Sequence, residues 1–244
     1  MLSDISINIT QNLLHGQFST CQGLEDTTLG NFLQYSICNG EFAQILFTGH
    51  QHWVCASNIG CQKGEINIYD SSNHGNVSSY VKKQVAAILH EEGPEITINI
   101  KSVQQQQNGT DCGVFSIAFL TSLLHGGDPA TRTYRNNKLR EHLLTCILNG
   151  YVTPFPEDQG LRVRRCKERK LQIQLFCTCR MPWDEMDERR KDTQIISCDT
   201  CGKWFHCSCE QIPDIVFQEQ SFWQCSVCSS CLKTRIKKNN GPLI

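Results

Sequence analysis

Eight residues of metal-ligand type follow one another closely in the last third of the chain. Their pattern is C-x-C-x18-C-x2-C-x4-H-x2-C-x15-C-x2-C, formed by Cys177, Cys179, Cys198, Cys201, His206, Cys209, Cys225 and Cys228. Thiolates two residues apart can reach one ion from a single short turn, and structural zinc takes four cysteine or histidine ligands. Chance and a disulfide framework both explain these ordered pairs poorly. The sequence therefore predicts two structural zinc ions and no cofactor for catalysis.

The other cysteines must be interpreted in a chain that needs no disulfides. The 244 residues include 16 cysteines, of which 7 lie in residues 1–176 and 9 in residues 177–244. A chain of this length can bury a sufficient hydrophobic core. No apolar segment with a basic leader opens the sequence, and the longest apolar run, 112–124, is too short and polar to span a bilayer. We therefore expect a reducing compartment, where cysteines serve metal binding or catalysis.

Cys112 stands where a nucleophilic cysteine is expected. Asn108-Gly109 is a turn signal, Asp111 is a plausible helix N-cap, and residues 114–124 are apolar enough for a buried helix. Cys112 would then lie at a helix N-terminus, where unpaired N–H groups and the helix dipole stabilise a thiolate. The sequence thus predicts a reactive thiol at Cys112.

A nucleophile needs a base, and the base needs a group that orients it. Residues 43–48, 53–56 and 65–69 are predicted strands, which places His52 and Asp70 at strand ends. A sheet facing the helix of Cys112 can bring three distant residues together. The sequence therefore predicts a Cys–His–Asp site.

These residues resemble a known family. His52-Trp53, Asp70 after Ile68-Tyr69, and Gln106 six residues before Cys112-Gly113 are similar to the Ulp-type cysteine proteases specific for SUMO and ubiquitin-like proteins. Leu2-Ser3-Asp4 and the helix-like residues 5–18 also match, so that the resemblance covers about residues 1–150. It implies an α+β fold: a papain-like cysteine protease domain with circularly rearranged motif order.

The resemblance implies a role for each matching residue. Cys112 is the nucleophile, His52 the general base and then the acid, and Asp70 the group that orients the imidazole. Gln106 donates to the oxyanion beside the Cys112 N–H. The competitor His50 is disfavoured because Trp follows His52.

The same resemblance implies a narrow substrate channel for a Gly-Gly terminus. Trp53 is one wall of this channel, which only residues without side chains can pass. The family usually carries a second Trp just before the Leu-x-Asp stretch, as the other wall. Here that position falls on Met1.

The zinc segment resembles a PHD finger over residues 176–231. Its histidine is the fifth ligand, whereas a RING finger carries histidine fourth, and Trp204 and Trp223 each lie two residues before a ligand. The resemblance implies cross-braced sites, with Cys177, Cys179, His206 and Cys209 on one ion and Cys198, Cys201, Cys225 and Cys228 on the other. Cys207 and Cys231 are surplus. We expect the finger to need its metal in order to fold.

PHD fingers commonly bind a histone tail, often holding methyl-lysine in an aromatic cage. By position, the cage would draw on Phe176, Trp183, Ile195 and Trp204. Asp199 would pair with a basic residue of the tail. We expect Trp204 to serve the cage and Trp223 to pack the small core.

The charge divides the chain. Residues 1–160 carry 8 Lys/Arg and 14 Asp/Glu, whereas residues 161–244 carry 15 and 10. We predict four segments: a Ulp-type protease domain, a linker with a basic run, a PHD finger and a basic tail, at 1–152, 153–172, 173–232 and 233–244. The run 162–170 is interpreted as a solvated linker face, with a nucleic-acid patch as the weaker alternative. Basic segments beside a PHD-like finger favour the nucleus.

The predicted function is a thiol-dependent peptidase or isopeptidase that removes or processes a ubiquitin-like modifier, SUMO or NEDD-like. Its partners would be the modifier or its conjugates and a histone tail, with no membrane. One alternative is a catalytically inactive, mobile-element-derived histone-tail reader. Another is an acetyltransferase that uses the same Cys, His and Asp.

Overall fold

The computed structural model divides into two compact units, Met1–Ile173 and Gln174–Ile244. It describes residues 1–72, 75–91, 93–183, 195–212 and 222–230. The predicted basic tail and Cys231 lie outside these ranges. No helix within them is both long and apolar enough to cross a membrane.

Strands β1 to β5 lie side by side in the sheet of the first unit, in that spatial order. The β1–β2 and β4–β5 pairs are parallel, whereas β2–β3 and β3–β4 are antiparallel. Their bounds are β1 Gln22–Gly23, β2 Phe42–Phe47, β3 Trp53–Ser57, β4 Glu65–Tyr69 and β5 Glu95–Ile100. The three strands predicted around the site are therefore present, within one residue at their ends.

The helix α3 (Cys112–Leu124) is the centre of the first unit. Every residue from Cys112 to Leu123 is buried, as expected for a helix that is apolar on all sides. Alternate residues of β2, such as Ala43 and Ile45, share one hydrophobic cluster with α3. Because α2 (Ser79–Leu89) also packs on β2, this strand is buried along nearly all its length.

Two further helices complete the first unit. α1 (Asp4–Gln17) is capped by the preceding Ser3, whose side chain accepts a hydrogen bond from the Ser6 N–H. α4 (Leu139–Asn149) packs on α3 and ends at Gly150, which has a left-handed φ of 67°.

Residues 153–172, predicted as a linker, lie within the first unit. Phe155 is buried in the same cluster as α3. Arg165 donates hydrogen bonds to the carbonyls of Ala130 and Arg132, at 2.8 and 2.5 Å. This segment is held by an apolar anchor and by backbone acceptors, which its Pro, Gly and Arg content did not indicate.

In the second unit, the described residues form short strands and the cysteine clusters. The described strands are β6 Arg169–Phe176, which begins in the first unit, and β7 Met181–Pro182, β8 Ile195–Ser197 and β9 Trp204–His206. β6 pairs with β7, and β8 with β9, both antiparallel. The buried side chains here are mainly Cys177, Cys198, Phe205 and Cys225. Because the apolar core formed by the described residues is small, we expect metal binding to supply folding free energy.

Candidate active site and zinc sites

His52 and Asp70 form a hydrogen-bonded pair at the ends of neighbouring strands. His52 directly precedes β3, and Asp70 directly follows β4, which pairs with β3 in antiparallel register. His52 Nε2 lies 2.6 Å from Asp70 Oδ1, and the two side chains are 19% and 12% exposed. Asp70 Oδ1 also accepts from the Ser72 N–H at 2.8 Å. The carboxylate is thus anchored, and it holds the imidazole in one orientation.

The Cys112 thiol hydrogen-bonds to His52 from the first residue of α3. Since Nε2 faces Asp70, the ring nitrogen left for the thiol is Nδ1. Burial is the largest influence on the Cys112 pKa and raises it. The hydrogen bonds from His52 and from the Trp53 and Gly113 N–H groups outweigh burial, so that the pKa falls below its ordinary value.

The same contacts hold a proton on His52. Burial, again the largest influence, lowers the His52 pKa. Hydrogen bonds and charges of Asp70 and Cys112 together raise it to about 9. A lowered thiol pKa beside a raised imidazole pKa favours the thiolate–imidazolium pair, which is the form that attacks a carbonyl.

Gln106 lies beside this pair, with its amide anchored by the protein. Its Oε1 accepts from the Ser71 hydroxyl at 2.7 Å, and its Nε2 donates to the Asn108 carbonyl at 2.5 Å. A side-chain amide has two N–H donors, and the Asn108 contact takes one of them. Gln106 is thus placed at the site by Ser71 and Asn108, neither of which the sequence pattern indicated.

Asp111 occupies the predicted N-cap position without acting as a side-chain cap. Its carboxylate accepts instead from Asn108 Nδ2 at 2.7 Å and from Arg140 Nε at 2.8 Å. Arg140 also donates to the Thr110 carbonyl at 2.8 Å. An arginine from α4 thus holds the loop that precedes Cys112. No local sequence signal links residues so far apart.

Trp53 and Leu2 lie against the start of α3. The Trp53 indole Nε1 donates to the Leu2 carbonyl at 3.2 Å. A Cβ atom on Gly113 would lie 3.0 Å from Leu2 Cβ and 3.3 Å from Trp53 Cδ1. Glycine at 113 therefore permits this close approach beside Cys112, where the resemblance places the channel.

A cavity of about 420 Å³ opens on the other side of the pair. Its wall includes His52, Asp70 and Gln106, together with His50, Val54, Asn76 and Val77. The competitor His50 therefore lines this cavity, whereas the hydrogen bonds to Asp70 and Cys112 are made by His52. The structure brings together the four residues predicted for catalysis.

The eight predicted metal ligands form two groups. Cys177, Cys179, His206 and Cys209 make one, and Cys198, Cys201, Cys225 and Cys228 make the other. In each group the ligand atoms lie within 4.8 Å of one another. Sulfurs around one tetrahedral zinc are separated by about 3.8 Å, so the atoms of each group are close to the spacing that one ion needs. Three thiolates with one imidazole, and four thiolates, are both donor sets that suit zinc, and their pairing is the cross-braced one.

Backbone groups support these thiolates. The Cys177 sulfur accepts from the His206 N–H at 3.3 Å, and the Cys198 sulfur accepts from the Cys225 N–H at 3.4 Å. Such contacts orient the ligands and stabilise their charge. Each of these bonds joins residues of one group, so that the groups are braced internally.

The predicted cage residues occupy different environments. Trp204 is 47% exposed. In the β8–β9 register Ile195 faces His206, which places Ile195 on the same face of the ribbon as Trp204. Trp183 stacks on the His206 ring at 6.2 Å between centroids. Phe176 packs against the buried cysteine cluster.

Asp199 and Trp223 form a small structural link. The Asp199 carboxylate accepts from the Trp223 N–H at 2.7 Å, and the Asp199 N–H donates to the Trp223 carbonyl at 3.0 Å. The Trp223 ring packs edge-on to Phe205. Trp223 is therefore a core residue, and one oxygen of Asp199 is engaged within the finger.

An α+β domain with a thiol at a helix N-terminus, beside a His–Asp pair, has the architecture of a cysteine peptidase. Residues 42–142 match the model of the Ulp1 protease family, C-terminal catalytic domain. Residues 177–228 match the PHD-finger model. The chain thus carries a domain of the Ulp1 protease family followed by a PHD finger, which confirms both resemblances and the predicted fold class.

Solved structures with similar folds include the SUMO protease Ulp1 with its catalytic cysteine oxidised to a sulfenic acid. That chain is 15% identical, with 61% of this chain and 77% of that one covered and a TM-score of 0.48. The Ulp1 protease domain in complex with Smt3, the yeast SUMO orthologue, is 14% identical over the same shares, at 0.46.

A third similar structure is the Xanthomonas campestris effector XopD bound to ubiquitin. The two chains are 12% identical, and the alignment covers 65% of this chain and 86% of the effector, with a TM-score of 0.38. No curated protein matches the chain.

Proposed function

We propose that the chain is a thiol-dependent isopeptidase that removes or processes a ubiquitin-like modifier of the SUMO or NEDD type. The observation that carries this proposal is the continuous hydrogen-bonded set of Cys112, His52 and Asp70, with a lowered thiol pKa. The family match over residues 42–142 supports the substrate class.

The site residues account for each proton in the reaction. The Cys112 thiolate attacks the carbonyl carbon of the modifier's last glycine, and the oxyanion forms beside the helix N-terminus and Gln106. The His52 imidazolium gives its proton to the leaving lysine amine as the C–N bond breaks, which leaves a thioester. Neutral His52 then takes a proton from a water molecule, and the water oxygen attacks the thioester carbon. The C–S bond breaks, and Cys112 leaves as the thiolate.

The Trp53 side of the site suits the modifier's tail. Leu2, Trp53 and Gly113 lie in close contact next to Cys112. A side chain on the residue before the scissile bond would have to displace these packed groups. We therefore propose that the tail ends in two glycines.

An electrophilic probe panel tests the catalytic proposal. Full-length protein is mixed with SUMO, NEDD-type and ubiquitin proteins that carry a C-terminal electrophile, and adducts are separated by mass. We expect an adduct with a SUMO or NEDD-type probe, formed at Cys112 and absent from Cys112→Ala. Cys146→Ala, which removes another buried cysteine of the same unit, is the matched control and should still react. Absence of any Cys112-dependent adduct would reject the proposal.

We further propose that the finger binds a histone tail and that the protein acts in the nucleus. An exposed tryptophan beside a zinc-binding group suits a methylated lysine, since a quaternary ammonium binds an aromatic face by cation–π attraction. Ile195 is paired with His206 in the β-ribbon, and Trp183 stacks on the His206 ring. Both side chains would therefore lie beside the bound lysine. The basic segments and the PHD-finger match support the nuclear assignment.

Replacing Trp204 with alanine tests the histone contact. A peptide that binds the wild-type protein is first selected from an array of histone-tail peptides. We expect its affinity to fall by about 10-fold or more in Trp204→Ala, since a cation–π contact contributes about 2 kcal/mol when desolvated. Binding is measured by fluorescence anisotropy, with zinc content measured in parallel. The control is Phe222→Ala, which removes another exposed aromatic of the finger. Equal binding by wild type and Trp204→Ala would contradict the cage.

A further inference from the structure

A basic surface adjoins the cavity beside His52. Two more cavities, of about 350 and 320 Å³, have several cations in their walls. We call them together the basic groove, and its charged residues are Lys82, Arg164, Arg165, Lys167, Arg169 and Lys170. All of them belong to the first unit.

The basic groove is continuous with the active-site cavity. Asn76 and Val77 line both that cavity and the first cavity of the groove. Gly75 and Arg169 then line both cavities of the groove. Gln105, in the wall of the last one, donates its side-chain amide to the Asp70 carbonyl at 2.9 Å. The cations of the groove therefore lie next to the active-site cavity.

The positive charge of the groove is balanced only in part by neighbouring carboxylates. Glu65 pairs with Lys170 at 3.7 Å, and Glu168 pairs with Lys101 at 2.5 Å. Among the ion pairs of the described ranges, none includes Arg164 or Lys167. Arg164 and Lys167 are both exposed to solvent.

This charge stands out against the rest of the unit. Residues 1–160 carry 8 Lys/Arg against 14 Asp/Glu. A local positive surface on an acidic domain attracts acidic partners selectively. Arg165 is different, because its guanidinium donates to backbone carbonyls and holds the segment in place.

The reaction places the groove on the acceptor side of the scissile bond. The acid that protonates the leaving amine must contact that amine, and under the proposed mechanism this acid is His52. Trp53 belongs to the cluster of α3, whereas Val54 lines the active-site cavity, so the two lie on opposite faces of β3. His52 also lines this cavity, so under the proposed mechanism the acceptor's lysine leaves toward the cavity and the groove.

We propose that the basic groove binds acidic residues that flank the modified lysine of the acceptor protein. The enzyme would then prefer conjugates whose attachment site lies in an acidic stretch. This inference rests on the proposed isopeptidase function and adds the acceptor class to it.

Matched conjugates, cleaved by the full-length protein, test this preference. Two conjugates are prepared with SUMO, or with the modifier whose probe reacts. In both, the modifier is attached to the Nε of a lysine in a peptide. One peptide has Asp and Glu around that lysine, and the other has Asn and Gln in their place. The same modifier with a C-terminal aminomethylcoumarin amide has no acceptor peptide. Wild type should cleave the acidic conjugate about 10-fold faster at low salt, and the preference should shrink in high salt.

Charge reversal in the groove provides the second arm. In Arg164→Glu/Lys167→Glu the preference should disappear or invert, with coumarin-amide cleavage unchanged within about 2-fold. Lys63→Glu/Lys138→Glu, which reverses two exposed lysines outside the groove, should keep the wild-type preference.

The failures are distinguishable. Absence of coumarin-amide cleavage with every modifier rejects the isopeptidase function itself. Cleavage of the amide with equal rates on both conjugates rejects only the acceptor proposal. An equal loss on amide and conjugates after charge reversal also rejects it, because the groove would then contact the modifier. DNA binding that the reversals remove, without acceptor preference, would assign the groove to nucleic acid.

Discussion

Replacing His52 with alanine is expected to lower kcat/KM for modifier cleavage by about 1,000-fold. The imidazole supplies the proton for the leaving amine, and it also stabilises the thiolate. Burial alone raises the pKa of the Cys112 thiol, and the His52 hydrogen bond is the largest effect that opposes it. The variant should therefore lose the acid and also the main interaction that lowers the pKa of the nucleophile.

The pH dependence separates these two losses. In wild type, alkylation of Cys112 by iodoacetamide should begin below the pH at which an ordinary thiol reacts, because the Cys112 pKa is lowered. Turnover should fall again as pH rises through about 9, where His52 loses the proton it gives to the amine. In His52→Ala the alkylation profile should move to higher pH, and the alkaline fall should vanish.

His50→Ala is the matched control for this prediction. His50 lies two residues away and lines the same cavity, but the hydrogen bond to Asp70 is made by His52. Turnover within about 3-fold of wild type is expected for His50→Ala. If it lost as much activity as His52→Ala, or if the alkylation profile of His52→Ala did not shift, the assignment of His52 would be wrong.

Removal of one zinc ligand is expected to unfold the finger while the first unit remains folded. Cys198→Ser takes one thiolate from the group of four cysteines. Structural zinc contributes about 10–16 kcal/mol of apparent binding free energy in small fingers, far more than the core of four buried residues around it can replace. We expect bound zinc to fall from two ions per chain to one or none.

Zinc content by atomic emission and protease resistance of the finger measure this loss. Alkylation of Cys112 should be unchanged, since the two units are separately compact. Cys207→Ser is the control, because Cys207 belongs to neither ligand group, and it should retain two ions. Unchanged zinc content in Cys198→Ser, or equal loss in Cys207→Ser, would contradict the assigned ligand sets.

Residue spacing along the chain predicted the chemistry of both units. Two thiolates separated by two residues are held together by one turn, so the ligand pattern indicated zinc without knowledge of the fold. Cys112 at the start of an apolar helix depended likewise on neighbouring residues. His52, Asp70 and Gln106 were recognised through their order and their resemblance to a family. All of these predictions use residue spacing or the order of motifs, and both can be read directly from the sequence.

Contacts between distant residues needed the tertiary structure. The sequence predicts Asp111 as the cap of α3, but its side chain makes no cap hydrogen bond and instead accepts from Arg140 of α4. The 153–172 segment was predicted as a linker, yet Phe155 and Arg165 anchor it to the first unit. That packing turns a basic run into one wall of a groove beside the active site.

The sequence by itself indicated which side chains could carry chemistry: a thiol, an imidazole and a carboxylate in one unit, and eight residues of metal-ligand type in the other. Only the tertiary structure decided their distances, such as 2.6 Å between His52 and Asp70, and their surroundings. The physical reason is that ligand type and helix position are properties of short segments. Burial, hydrogen-bond partners and the resulting pKa shifts arise from residues that meet only when strands and helices pack.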